Sequence, residues 1–156
     1  MTTTAADLIY GESVRALEEQ QSNLDGLRIR TGTLLAAVSL ITAFLGAQAI
    51  NRHNGSLGDA GWVAVAFFIL SALGGLIVLW PWTWGFVVSA TTLIEDHVDV
   101  DDPTPAEELA LYLAQVHDEN WNGNAARLAW LFWAFRAATM CLAGEVIAWL
   151  IALTLV

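Results

Sequence analysis

Three stretches of the chain are apolar almost without interruption, and two others repeat apolar residues at helical spacing. The first apolar block runs from Leu34 to Ile50, extended back through Thr31, Gly32 and Thr33, with Gln48 as its only strongly polar side chain. The second runs from Trp62 to Trp80, and the third from Leu128 to Val156 with Arg136 and Glu145 inside it. A helix rises 1.5 Å per residue, so about 20 residues cross roughly 30 Å of hydrocarbon. Each block meets that length, whereas a buried helix of a soluble domain would be shorter and show a polar face. The predicted fold is all-α: an integral membrane protein with transmembrane helices over 31–50, 60–80 and 128–156 and a cytoplasmic amphipathic helical stalk.

The stalk is read from 1–30 and 81–127. Thr4 can cap the first helix, with Asp7 in its first turn. Tyr10, Val14, Leu17, Gln21 and Leu24 follow a 4-3-4-3 spacing, a narrow seam suited to one partner helix. Gly26 and Gly32 mark a bend or close contact before the first span. Pro81 ends or kinks the second span, and 85–94 is expected to continue as an interfacial or cytoplasmic helix. Thr104-Pro105-Ala106-Glu107 has the pattern of a capping box with proline at the first helical position. Ala106, Leu109, Leu113 and Val116 then form a second seam of matching length. Asn120, Asn122, Gly123 and Asn124 are expected to interrupt or bend the chain before the third span. The two seams predict helices packed on each other, within one chain or swapped between copies.

Tryptophan and arginine set limits and orientation. Trp62 and Trp80 stand about 27 Å apart on a helix, and Trp133 and Trp149 about 24 Å. These pairs read as two aromatic belts at headgroup level, thickened on one side by Trp82, Trp84, Trp121 and Trp130. Arg15, Arg28, Arg30 and Arg127 flank the spans on one side, and only Arg52 lies in the loop between the first two. By the positive-inside rule the N-terminus is cytoplasmic and the C-terminus outside, in a bacterial inner membrane. A cleaved leader is the competing reading of Arg28 to Ala49, but the segment before it would be long, acidic and helix-patterned, unlike a signal peptide's n-region.

Composition sharpens this picture. Of 156 residues 56% are apolar, yet the formal charge is −10, from 16 acids and six arginines with no lysine. So acidic a chain does not suit nucleic acid, which needs clustered cations. The single Cys141 sits in an apolar run as a small packing residue. The acidic loop 95–102 lacks the spacing and glycine of a calcium loop and reads as a solvated linker. His53, His97 and His117 show no zinc-ligand spacing. No phosphate loop, metalloprotease motif or nucleophile elbow is present, and Ser39, Ser71 and Ser89 have no histidine at a suggestive spacing. No enzymatic activity, cofactor or metal is predicted.

The intramembrane polar candidates are Glu145, Gln48 and Arg136. A charged carboxylate at the depth of Glu145 is expensive, so it must face protein or water, or hold a proton. Cys141, Ala148 and Ala152 share its helix face, beside Gly144, and Ser39, Ala43 and Ala47 form a similar small-residue stripe on the first span. Gln48 lies 15 residues from Thr33 and Glu145 15 from Trp130, so equal depth predicts a Gln48–Glu145 hydrogen bond. Arg136 lies nearer the cytoplasmic face and can snorkel to it.

The stretch Leu24-Asp25-Gly26-Leu27-Arg28-Ile29-Arg30-Thr31-Gly32-Thr33-Leu34-Leu35-Ala36-Ala37, running on to Phe44-Leu45-Gly46, and the stretch Asn120 to Arg127 before the third span resemble small actinobacterial membrane proteins. More distantly the chain is similar to the SLATT and PycTM groups of bacterial membrane effectors. The resemblance implies a membrane-perturbing role in antiphage defence, released by a nucleotide signal or partner, although no nucleotide-sensing domain accompanies it. The sequence thus leads to a small homo-oligomeric inner-membrane protein acting as a regulated pore or membrane-disrupting effector. The alternative is an accessory subunit that binds a protein partner through its cytoplasmic helices, and the third reading is a small transporter.

Overall fold

The computed structural model describes residues 4–52, 55–86, 91, 94–95 and 104–154. Among them are three helices and no strand: α1 (Ala5–Arg52), α2 (Asp59–Leu79) and α3 (Ala106–Thr154). All three are long and apolar enough to cross a membrane. At 48, 21 and 49 residues, they are about 72, 32 and 74 Å long.

Both long helices run through the predicted breaks. Residues 5–30 and 31–50 belong to α1, and 106–127 and 128–154 belong to α3. Gly26 and Gly32 have no atom within 4 Å of the space a Cβ would fill, so neither makes the close contact expected. The asparagines before the third span do not end the helix, and the amides of Asn122 and Asn124 are engaged elsewhere. Asn122 donates to Asp118 one turn back at 3.1 Å, and Asn124 turns to Gly85. Side chains so occupied do not compete for the helix backbone.

The ends follow local rules. Thr4 and Asp7 cap α1 reciprocally: the Asp7 amide donates to Thr4 Oγ1 at 3.2 Å and the Thr4 amide donates to Asp7 at 3.0 Å. Gly55, at φ +89°, donates its amide to Ile50 O and closes the C-terminus of α1, a conformation that suits a residue without Cβ. α2 stops at Leu79 because Trp80, preceding Pro81, takes an extended ψ of 138°. After Pro81, residues 82–86 are irregular, so the helix expected over 85–94 does not begin at 85, while residues 91 and 94 within it are helical. Most of 85–94, nearly all of the acidic loop 95–102, His53 and His97 lie outside the described residues.

The chain divides into two compact units: 1–25 with 82–128, and 26–81 with 129–156. In each, α1 and α3 run parallel. The first unit is tied by Ser13–His117 and Gln20–Trp121, separated in sequence by 104 and 101 residues. The second is tied by Thr42–Glu145 and Arg52–Leu153, separated by 103 and 101.

The buried faces repeat every seven residues. On α3, His117, Asn124, Leu131, Ala138, Glu145 and Ala152 are all buried and each lies seven after the last. On α1, Ala6, Leu17, Gln20, Leu24, Leu27, Thr31, Leu34 and Val38 are buried, with Tyr10 and Ser13 half-buried, at alternating four- and three-residue steps. This is the spacing of a coiled-coil seam. The seam inferred from sequence is largely kept: Tyr10, Leu17 and Leu24 lie on it and Val14 is half-buried beside Ser13, but Gln21 is exposed and Gln20 takes its place. The polar residues enter because each finds a hydrogen-bond partner there.

In the second unit α2 runs antiparallel to α3 and packs through small residues. Gly61, Ala64, Ser71, Gly75 and Val78 form its buried face. A Cβ at Gly74 would lie 2.9 Å from Ala138 Cβ, one at Gly75 would lie 2.7 Å from Leu35, and one at Gly144 would lie 2.9 Å from Phe67. The Ser71 hydroxyl donates to Ala138 O at 3.0 Å. Helices apolar enough to cross a membrane associate through close van der Waals packing, which small residues allow.

Candidate functional site

Glu145 lies on the α3 seam in the second unit and is fully buried. Its Oε1 accepts two hydrogen bonds, from the Thr42 hydroxyl of α1 and, at 3.3 Å, from Trp149 Nε1 one turn further along α3. Oε2 is buried with no hydrogen-bond partner. Trp149 is only 1% exposed and rests over Gly46, where a Cβ would lie 3.3 Å from the ring. Ala49, Ala64, Ala148 and Ala152 complete the surrounding cluster.

Thr42 behaves unlike most hydroxyl residues in these helices. Thr31, Thr33, Ser39, Thr139 and Thr154 donate to their own helix, four residues back. Thr42 and Ser71 donate across helices instead. Thr42 is therefore a positioning group for the carboxyl, aimed by the register of α1 against α3.

Three expectations are corrected here. The Gln48–Glu145 bond is not formed: Gln48 is exposed, and the carboxyl takes Thr42 and Trp149. Equal depth implied a sequence separation of 97 residues, whereas the bonded pair is separated by 103. Six residues of slip are about 9 Å of rise and 240° of rotation. The stripe Ser39, Ala43 and Ala47 is exposed, not turned to a neighbour. Trp149 is core, not belt, while Trp62, Trp80 and Trp133 are each more than 60% exposed. Cys141, Ala148 and Ala152 do share the Glu145 face, with the cysteine half-buried. Arg136 is exposed, its guanidinium 5.2 Å from the Trp133 ring centroid.

The first unit holds a polar seam that sequence reasoning missed. The Ser13 hydroxyl donates to Tyr10 O at 2.8 Å and lies 3.2 Å from His117 Nδ1. Which of the two donates across this contact follows the tautomer of the imidazole. The Tyr10 ring stacks on His117 at 5.6 Å and 27°. His117 lines two open pockets of about 220 Å³ each, one reaching Glu18 and Phe86, the other Asp118 and Trp121. The separation of 104 residues left no local spacing by which to recognise the pair.

The same unit clamps the segment after Pro81. Asn124 Nδ2 donates to Gly85 O at 3.2 Å, and the Gly85 amide donates back to Asn124 Oδ1 at 3.4 Å. Arg127 donates to Thr83 O and sits 5.7 Å over Trp84, which stacks on Phe86. Among the described residues no group of three His, Cys, Asp or Glu side chains could hold a metal ion.

Comparison with family models, curated proteins and solved structures finds no match to this chain.

Proposed function

We propose that this is a membrane-anchored interaction protein, in which three spans fix a two-helix unit at the cytoplasmic face of a bacterial inner membrane for a protein partner. The observation that carries this reading is the surface of the first unit. Leu8, Ile9, Leu111 and Tyr112 are each more than 40% exposed there, on helix turns that also carry Asp7, Glu107 and Glu108. Exposed apolar side chains in the second unit face lipid, but these lie outside the apolar blocks and have no lipid to cover them. The sealed carboxyl at Glu145 fits the same reading. With its accepting oxygen filled by Thr42 and Trp149, it serves cohesion between spans.

A photo-crosslinker placed at Leu8 or Tyr112 of the full chain, expressed in its native membrane, tests this. The expected product is a discrete heteromeric adduct, lost on Ile9→Glu. An absence of adducts would sink the reading.

An oligomeric pore or effector is the second reading, favoured by the exposed carboxamide of Gln48 in the first span, which can bond a second copy. It predicts crosslinks at Gln48 in multiples of one chain, and dye entry on overexpression.

A further inference from the structure

The six arginines are used unequally. Arg52 donates to Leu153 O, Arg127 donates to Thr83 O, and Arg15 pairs with Glu12. Arg136 has no acceptor among the described residues. Its guanidinium stands exposed against Trp133, which is itself 66% exposed.

The packing of the second unit fixes what lies beside it. Glu145 meets Thr42 and Trp149 meets Gly46, so position 133 on α3 is level with Arg30 on α1. Gly74 meets Ala138 with α2 antiparallel, so Trp80, six residues further, is level with position 132. Arg30, Trp80, Trp133 and Arg136 thus occupy one level, all exposed. At the other end of the same unit Arg52 is engaged and Asp59 is acidic. Indoles mark the headgroup level. A guanidinium stacked on an indole keeps its in-plane N–H donors free, in the fork that matches two phosphate oxygens.

We propose that Arg136, held against Trp133, binds the phosphate of an anionic membrane lipid. This rests on the second unit spanning a bilayer. The indole holds the guanidinium at the level of the exposed Trp80 and Trp133 rings.

The full chain reconstituted in discs of equal phosphatidylglycerol and phosphatidylcholine, with retained lipids counted by native mass spectrometry, tests the site. Phosphatidylglycerol should be enriched, and Arg136→Gln should lower the enrichment about fivefold, the weight of one arginine at an anionic surface. Trp133→Leu, which keeps the charge and frees the side chain, should lower it less. Arg15→Gln should change nothing. Equal retention of both lipids by the unaltered chain, or an Arg136→Gln variant that folds and enriches normally, would overturn the proposal. Displacement of the lipid by excess inorganic phosphate would overturn the lipid assignment in favour of a soluble phosphate. Extraction of the chain by alkaline carbonate would instead overturn the membrane reading beneath it.

Discussion

The two units share a heptad seam but not a chemistry. The first carries 14 of the 16 acids and two of the six arginines, a formal −12. The second carries two acids and four arginines, a formal +2. Its acids are Asp59, in the first turn of α2, and the buried Glu145. Buried polar groups occur in both, yet they do different work. In water an exposed polar group is already satisfied, so a polar seam residue gains little and mainly fixes register. In hydrocarbon nothing else would satisfy it, so in a bilayer the Thr42–Glu145–Trp149 contact would hold helices that apolar surface alone cannot hold. The small faces of α2 and the indole of Trp149 over Gly46 belong to the same regime.

The largest effect that would test this contrast is Trp149→Ala. It removes a buried indole and a donor to Glu145, and should cost about 3 kcal/mol in mixed-micelle unfolding. Hydrogen exchange of the first unit should stay unchanged. If protection is lost equally in both units, they do not differ as argued.

A pair of substitutions should act with opposite sign. Thr42→Val removes a hydroxyl donor to Glu145 and should destabilise the second unit by about 1 kcal/mol, with Thr42→Ser restoring it. Gln20→Leu removes a buried amide whose Oε1 has no partner and should stabilise the first unit by about 1 kcal/mol. The same sign for both would remove the distinction between the two seams.

The smallest effect is at the start of α1. The Thr4 amide and hydroxyl hold the Asp7 carboxyl below the ordinary aspartate value. A group depressed on folding stabilises above its unfolded value and loses that contribution as pH falls through its folded one. Protection of the amides of residues 5–9, taken as the ratio of the intrinsic to the observed exchange rate at each pH, should therefore be highest above the aspartate range and fall in acid, and Asp7→Asn should abolish this pH dependence. Unaltered dependence in that variant would assign the effect to another group.

How much of this was legible follows the range of the interactions. The spans, the stop before Pro81 and the Thr4 cap are local, and their residues stand within a few positions of each other. The seam was half legible, because a search for apolar residues finds Leu17 and Leu24 but passes over Ser13, Gln20, His117, Asn124 and Glu145. A strict seven-residue step from Glu145 back to His117 would have found the α3 face from the chain alone. The seam also explains why helices predicted in pieces are continuous, since one period runs through Gly26 and through Asn124.

The sequence by itself determined an all-helical chain, three segments able to cross a bilayer, and a carboxyl among small side chains. These depend on composition and period over one or two turns, which backbone geometry and solvent partitioning decide. Only the tertiary structure decided the register of α1 against α3, and with it that Thr42 and not Gln48 meets Glu145, that Trp149 is core and that His117 meets Ser13. Register follows from packing between residues about a hundred positions apart, and a slip of six residues changes both depth and face.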